Sequence, residues 1–227
     1  MNALRSILPR RVLGEGESPR IAVAIQHVES REALVPRLWE QLGQGWLSKT
    51  VVTGDEAARN PWATYQECLR VAAEPDATHL LIVQDDALLV PRFFERLAWH
   101  VALRPIEVLC CYTPNQPTYM ARAIHAAHGM GRPFAQLPNG MFCPLVCTLW
   151  PVDDAADVLW WEETEAHSRQ RRCDDAQVAR WLRRRRRFAL GITPSLADHD
   201  EVTPSTLGLG RYRRHAAIMA PVEWAPA

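Results

Sequence analysis

The chain has 227 residues, of which 48% are hydrophobic and 23% are charged, and its 26 Lys and Arg residues balance its 26 Asp and Glu residues. This length favours one large domain, and the formal net charge of zero argues against a protein that binds nucleic acid through bulk positive charge. None of the six cysteines forms a Cys-x-x-Cys pair, which argues against a structural zinc site.

The apolar runs give no sign of a membrane or a secretory pathway. The N-terminus has no long apolar core before a cleavage site, and no apolar run approaches the length that crosses a bilayer. Most cysteines stand among apolar residues, as free thiols do in a reducing compartment. We therefore expect a soluble, cytoplasmic protein with a flexible arm at 1–19, one domain at 20–210 and a tail at 211–227.

The first half of the chain alternates short apolar runs with stretches of helical spacing. Strands are predicted at 20–26, 49–55, 79–84 and 106–112. Helices are predicted between them, at 29–43, 60–74 and 91–103.

Capping residues and prolines set the predicted ends of these helices. Ser30 and Asn60 are candidate N-caps, and Pro36 is a candidate kink. Pro61 and Pro91 stand where the first helical residue is expected, a position that proline favours.

The second half continues the same fold class. Helices are predicted at 117–129, 151–163 and 173–187. A Gly-containing turn is predicted to enter a strand at 138–150, and a last strand at 188–193 precedes a polar loop at 194–208. This alternation predicts an α/β fold in which a central, mostly parallel sheet lies between helices. Right-handed crossovers place the carboxyl ends of parallel strands at one edge of the sheet, where ligands bind.

An acidic pair follows the most apolar predicted strand. Asp85 and Asp86 come directly after the run 79–84. Adjacent carboxylates repel each other and are costly to desolvate unless a partner neutralises them. Mg²⁺ and Mn²⁺ prefer carboxylate oxygens and keep coordination positions open for phosphate. The alternative is a strand-end turn in which the aspartates accept hydrogen bonds from backbone N–H groups.

The segment "LLIVQDDALL" resembles the acidic signature of nucleotide-sugar-dependent glycosyltransferases with the GT-A fold. That signature is usually Asp-x-Asp and is Glu-Asp-Asp in some branches, whereas this chain has Gln84-Asp85-Asp86. The resemblance implies that Asp86 binds Mn²⁺ or Mg²⁺, which holds the donor's diphosphate. It further implies that Gln84 hydrogen-bonds the ribose and that Asp85 reaches the metal indirectly.

Further segments resemble the donor side of the same family. "RIAVAIQHVESR" takes the place of the first strand and the loop for the nucleotide base, so that Gln26, His27 and Arg31 would line the nucleotide pocket. Asp55, after the second strand, stands where such enzymes often hold the base. "ITPSLADHDE" is similar to the late loop that delivers a histidine to the metal, which here would be His199.

The acceptor side has its own similar segments. "GMFCPLVCTLWPVDDAADVL" looks like the strand and helix that carry it, and "CDDAQVARWL" like the helix start where one carboxylate deprotonates the acceptor hydroxyl. That role falls to Asp175 first and Asp174 second. An aspartate at a helix start also caps free N–H groups, so one of the two could cap while the other acts as the base. A carboxylate base implies a single displacement with inversion.

The resemblance thus implies a metal-dependent glycosyltransferase with a UDP- or GDP-sugar as donor and a glycan, protein, lipid precursor or modified nucleobase as acceptor. A nucleotidyltransferase shares the layered sheet, but it usually has a Gly-rich loop and a Lys after the first strand, and "AVAIQHVESRE" has neither. A non-catalytic nucleotide- or sugar-binding module stays open. The run Arg183–Arg187 predicts a solvated helix end or a contact with an anionic acceptor.

Overall fold

A computed structural model describes residues 17–55, 60–138, 143–164, 173–200 and 215–221. The strands are β1 (Ile21–Val28), β2 (Ser48–Gly54), β3 (His79–Gln84), β4 (Ala87–Leu89), β5 (Val108–Cys110), β6 (Phe134–Gln136), β7 (Cys147–Pro151), β8 (Ala189–Ile192) and β9 (Ala197–His199). The helices are α1 (Val35–Leu42), α2 (Pro61–Arg70), α3 (Phe93–Leu103), α4 (Thr118–Gly129), α5 (Val152–Thr164) and α6 (Asp174–Arg184), with 3-10 helices at Glu29–Leu34 and Val71–Ala73. Most of the predicted N-terminal arm and C-terminal tail, and the predicted turn at 139–140, lie outside the described residues.

Seven strands form one sheet in the order β2-β1-β3-β7-β5-β8-β6. The strand β1 is parallel to β2 and β3, β7 is antiparallel to β3 and β5, β8 is parallel to β5, and β6 is antiparallel to β8. Strands β1, β2, β3, β5 and β8 therefore share one direction, and β6 and β7 oppose it. The predicted mixed α/β architecture, a mostly parallel sheet flanked by helices, is confirmed.

Both faces of the sheet are buried, which explains why β1 and β3 are apolar without alternation. Side chains of Ala22, Ala24, Leu80 and Ile82 face a core formed with α2, α4, α5 and α6. Side chains of Ile21, Val23, Ile25, Leu81 and Val83 face the opposite core, formed with α1 and α3. Successive residues of a strand point to opposite faces, so each central strand contributes to two cores.

Several predicted helix ends are wrong by a few residues. Ser30 does not cap a helix, because it lies inside the 3-10 segment, and Pro36 stands in the first turn of α1 instead of kinking it. Pro91 precedes α3 by two residues, since Arg92 takes a left-handed backbone with φ 58°. Asn60 and Pro61 open α2 as predicted, although the Asn60 side chain makes no capping hydrogen bond.

A two-stranded antiparallel ribbon joins β4 to β9. The sequence predicted a polar loop at 194–208, and the segment Ala197–His199 is instead a strand. Each strand of the ribbon has three residues, and its partner is distant in sequence, so local patterning gives no signal for it.

The state of the cysteines and the length of the helices bear on two of the sequence expectations. All six cysteines are free thiols, and every one except Cys173 is buried. Within the described ranges, the structure has no helix whose length and apolar character would suit a membrane crossing.

Candidate functional site

A cavity of about 190 Å³ opens where the parallel strands β1 and β3 end. Nine of the ten predicted site residues line it: Gln26, His27, Arg31, Gln84, Asp85, Asp86, Asp174, Asp175 and His199. They come from four separate parts of the chain, and the carboxyl edge of the sheet is where the topology brings them together.

Asp85 is fixed by several donors and is 2% exposed. Its Oδ2 lies 3.0 Å from His27 Nδ1 and accepts the backbone N–H of Val28 at 3.2 Å. Its Oδ1 accepts a hydrogen bond from Arg31 Nη1 at 2.9 Å. Asp85 thus ties the end of β1 and the following 3-10 segment to the end of β3.

Asp86 makes fewer contacts than Asp85. Its Oδ2 accepts a hydrogen bond from Arg31 Nη1 at 2.6 Å and lies 3.2 Å from His199 Nε2. Its Oδ1 is buried and has no hydrogen-bond partner among the described residues. A buried carboxylate oxygen without a partner is costly, and such an atom is a candidate ligand for a group that the chain itself does not supply.

The charges of this cluster support one another. Burial alone would raise the pKa of Asp86, but the hydrogen bond and charge of His199 and the charge of Arg31 hold it below its ordinary value. The hydrogen bond to Asp86 raises the pKa of His199. Burial alone would lower the pKa of Arg31, but the charges of Asp86 and Asp85 raise it. The hydrogen bond with His199 and the charge of Arg31 thus favour the ionised form of Asp86.

The ribbon delivers His199 to the acidic pair. In the ribbon, His199 is the partner of Ala87, the residue directly after Asp86. The backbone N–H of Asp200 donates to the carbonyl of Asp86 at 2.8 Å, which fixes the register. Asp198 Oδ1 accepts the backbone N–H of His199 at 2.8 Å and that of Ala216 at 2.7 Å, which ties β9 to the segment 215–221.

Two side-chain amides that line the cavity form a hydrogen-bonded network. Gln84 Nε2 donates to Gln26 Oε1 at 3.2 Å, and Gln26 Nε2 donates both to the carbonyl of Pro61 at 3.2 Å and to Asp174 Oδ2 at 3.3 Å. The amide of Gln26 is therefore committed to protein partners at both ends. This network connects the ends of β1 and β3 to the first residue of α6.

The two aspartates at the start of α6 have different surroundings. Asp174 is 5% exposed, and its Oδ1 accepts the backbone N–H of Asp175 at 2.9 Å. Burial raises the pKa of Asp174 above its ordinary value. Asp175 is half-buried and lines the cavity. Asp174 is thus built into the helix start, and Asp175 is the more accessible carboxylate.

Asp55 stands apart from the other predicted residues. It follows β2, is exposed, and does not belong to the lining of the cavity in the described part of the chain. Because β2 is the edge strand beyond β1, its carboxyl end lies further from β3 than the end of β1 does. The predicted contact of Asp55 with a nucleotide base stays a prediction.

The arginine run is partly structural. Arg185 binds Asp157 through Nε at 2.7 Å and Nη2 at 3.0 Å. Arg187 pairs with the buried Asp154 and donates to the carbonyl of Ile106 at 2.8 Å. These two members of the run anchor the end of α6 to its neighbours, and their surroundings match neither the predicted solvated end nor an anion contact.

Sequence reasoning missed several residues of the cavity wall. Tyr112 stands just beyond β5, at the same edge of the sheet, and the edge rule could have found it. Thr64 lies in α2 and packs against Gly54. A side chain at position 54 would clash with it, since a Cβ there would lie 2.1 Å from Thr64 Oγ1. The segment 144–146 precedes β7 and lies within the stretch that resembles the acceptor side, although none of its residues was named as a site residue.

The residues present fit a divalent cation at Asp86 and His199. The fit rests on Oδ1 of Asp86, which has no hydrogen-bond partner in the described part of the chain, and on an imidazole nitrogen 3.2 Å from Oδ2 of the same carboxylate. Carboxylate and imidazole together suit Mn²⁺ better than Mg²⁺. A second cluster, Cys173 with Asp174 and Asp175, has ligand atoms within 4.8 Å of one another at the start of α6.

Comparison with known proteins gives little. No family model and no curated protein matches the chain. A solved structure described as the crystal structure of A197 from STIV has 11% sequence identity and a TM-score of 0.46, over 92% of this chain and 98% of that chain. This distant likeness carries no argument about fold or function, so the proposals below stand on the residues and their geometry.

Proposed function

We propose that the chain is a metal-dependent glycosyltransferase that moves a sugar from a nucleoside diphosphate to an acceptor hydroxyl. The observation that carries the proposal is the meeting of Asp86 and His199 at 3.2 Å, at the carboxyl edge of a mostly parallel sheet. The resemblance of Gln84-Asp85-Asp86 to the acidic signature of GT-A enzymes adds to it. A GT-A-type arrangement of the sheet is part of the same proposal.

The donor side of the site is the half with Arg31, Asp86 and His199. The leaving nucleoside diphosphate gains negative charge as the bond to the sugar breaks. Mn²⁺ or Mg²⁺ held by Asp86 and His199 would stabilise that charge as a Lewis acid. Arg31 adds a permanent positive charge near the same diphosphate, and a guanidinium group can bind phosphate oxygens through two N–H hydrogen bonds.

The acceptor side is the start of α6. The Asp175 carboxylate accepts the proton of the acceptor hydroxyl while that oxygen bonds to the anomeric carbon of the sugar. The bond from the same carbon to the diphosphate breaks, and attack from the opposite side inverts its configuration. Asp174 supports this step because its Oδ1 accepts the backbone N–H of Asp175 and so fixes the position of that residue.

Calorimetric titration with UDP and with GDP, each with and without Mn²⁺, tests the donor half of the proposal. Asp86→Asn removes the carboxylate charge and keeps the shape, and Mn²⁺-dependent binding should disappear. The matched control is Asp76→Asn, an exposed residue with φ 70° in the turn before β3, a backbone that Asn accepts as readily as Asp. The control should bind like the wild type.

The alternatives give different results in the same titration. If the wild type binds neither UDP nor GDP at any Mn²⁺ concentration, the proposal is wrong and a binding module for another ligand takes its place. If binding is present, incubation with a panel of nucleotide sugars and Mn²⁺ should release the nucleoside diphosphate from one of them. Release of pyrophosphate from a nucleoside triphosphate would indicate a nucleotidyltransferase instead.

A further inference from the structure

One nitrogen of Arg31 occupies the position between the two carboxylates of the acidic pair. Arg31 Nη1 lies 2.9 Å from Asp85 Oδ1 and 2.6 Å from Asp86 Oδ2. All three side chains are largely buried, with exposed fractions of 12% for Arg31, 2% for Asp85 and 4% for Asp86. A divalent cation that binds Asp86 would meet the positive charge of Arg31 at this distance, and two cations this close repel strongly in a partly buried site.

The two carboxylates would respond differently if Arg31 moved away. Asp85 would keep His27 Nδ1 and the backbone N–H of Val28 on its Oδ2. Asp86 would keep His199 alone, while its Oδ1 has no partner within the described ranges. Departure of Arg31 therefore exposes one carboxylate, Asp86, to a new ligand and leaves the other in its structural role.

The backbone that carries Arg31 is suited to movement. Arg31 interrupts the 3-10 segment Glu29–Leu34 with non-helical angles of φ −115° and ψ 18°, and no residue of that segment is fully buried. A segment without core packing can shift at a low cost in free energy. The long side chain itself can also swing, since arginine has many rotamers.

We propose that Arg31 and a divalent cation compete for the Asp85–Asp86 pair, and that the donor's diphosphate decides the competition by drawing the guanidinium onto its phosphate oxygens. This inference rests on the proposed function for the identity of the diphosphate. A phosphate is a strong bidentate partner for arginine and can replace the carboxylates that Arg31 leaves. The cation and the nucleoside diphosphate consequently strengthen each other's binding, and by linkage the factor is the same in both directions.

The test measures Mn²⁺ binding from the electron paramagnetic resonance signal of the free ion, with and without saturating UDP. In the wild type, UDP should tighten Mn²⁺ binding by about tenfold or more, within the usual range of coupling between sites. Arg31→Gln should bind Mn²⁺ without UDP about tenfold more tightly than the wild type does, and the further effect of UDP should shrink to about threefold or less.

Arg37→Gln is the matched control. Arg37 lies in α1 close behind the same segment and pairs with Asp200 at 2.7 Å, and it does not line the cavity in the described chain. The same loss of one positive charge should leave Mn²⁺ binding unchanged there. An equal gain in both variants would show a general electrostatic effect and overturn the competition at the acidic pair.

The inference is overturned if Arg31→Gln binds Mn²⁺ no better than the wild type. Should that variant fail to fold by circular dichroism, the wild type alone decides, because equal Mn²⁺ affinity with and without UDP excludes the coupling. If the wild type binds UDP only with Mn²⁺ while Arg31→Gln and the wild type bind Mn²⁺ equally well without UDP, the proposed function stands and the inference is overturned. A wild type that binds neither UDP nor GDP overturns the proposed function, and the Mn²⁺ affinity of Arg31→Gln without nucleotide then decides the competition by itself.

Discussion

Gln26 Nε2 donates a hydrogen bond to Asp174 Oδ2 over 3.3 Å and so joins the end of β1 to the first residue of α6. The amide oxygen of Gln26 accepts from Gln84 at 3.2 Å, which extends the connection to β3. Gln26 and Gln84, which were both predicted on the donor side, therefore hydrogen-bond to other residues of the protein. Gln26 positions the acidic helix start relative to the acidic pair, a role that the sequence alone did not indicate.

Replacing Gln26 by leucine should destabilise the protein. The variant removes a donor from the buried carboxylate of Asp174 and one from the carbonyl of Pro61, and an unsatisfied buried group costs about 1–3 kcal/mol. Urea unfolding measures the change. Gln44→Leu, at an exposed position, is the control and should stay within about 0.5 kcal/mol of the wild type. A neutral result at Gln26 would show that the amide network carries no stability.

The two aspartates of α6 should separate into a structural residue and a base. Asp174→Ala removes the Oδ1 that accepts the backbone N–H of Asp175, and the expected loss of stability is about 1 kcal/mol. Asp175→Asn should keep donor binding and the free energy of unfolding, and should slow sugar transfer by about 10²–10⁴-fold, as loss of a general base does. Initial rates and UDP titration check both parts. Full transfer activity in Asp175→Asn would move the base to Asp174.

The buried ion pair of Arg187 should matter more than the rest of the arginine run. Asp154 is 3% exposed, and removing one partner of such a pair costs about 3–5 kcal/mol. Arg187→Met should show this loss in urea unfolding. Arg186→Met is the control, because Arg186 is exposed. Its backbone φ is 54°, and arginine and methionine are equally strained at that angle, so the substitution adds no backbone strain. Equal effects at the two positions would contradict a structural role for Arg187.

Acid should destabilise the protein through His100. Burial lowers the pKa of His100 from 6.5 to about 4. As the pH falls from 6.5 towards 4, the unfolded chain binds a proton that the folded protein does not, so stability decreases over that window and the contribution totals about 3 kcal/mol. Chemical unfolding at several pH values measures it. The loss of stability between pH 6.5 and pH 4 should be smaller by about 3 kcal/mol in His100→Gln, and an unchanged loss would contradict the assignment.

Patterning predicted the central strands of the sheet, and the family resemblance named most of the predicted residues that line the cavity. The strands β1 and β3 are visible as apolar runs because both of their faces are buried, and the edge rule then gathers Gln26, Gln84 and Asp85. Asp55 was placed by the family resemblance, which does not tell how far the edge strand β2 lies from the centre of the sheet. The order of strands depends on pairings that no single segment encodes.

Long-range contacts explain what the sequence did not predict. The resemblance named His199 and Asp86 together, but the ribbon of β4 and β9 that joins them was missed, because its strands are too short for a periodic pattern. Arg31 was expected in the nucleotide pocket, but its position on both carboxylates follows from the path of the 3-10 segment after β1. Side-chain partners of this kind depend on the assembled fold and not on local propensity.

The most direct test of the central claim is the location of manganese in crystals grown with Mn²⁺ and UDP. The account predicts an anomalous scattering peak in contact with Asp86 and His199, and the Arg31 guanidinium on the phosphates. A peak only at Cys173, Asp174 and Asp175, or no peak with Arg31 still bound to both carboxylates, would contradict it.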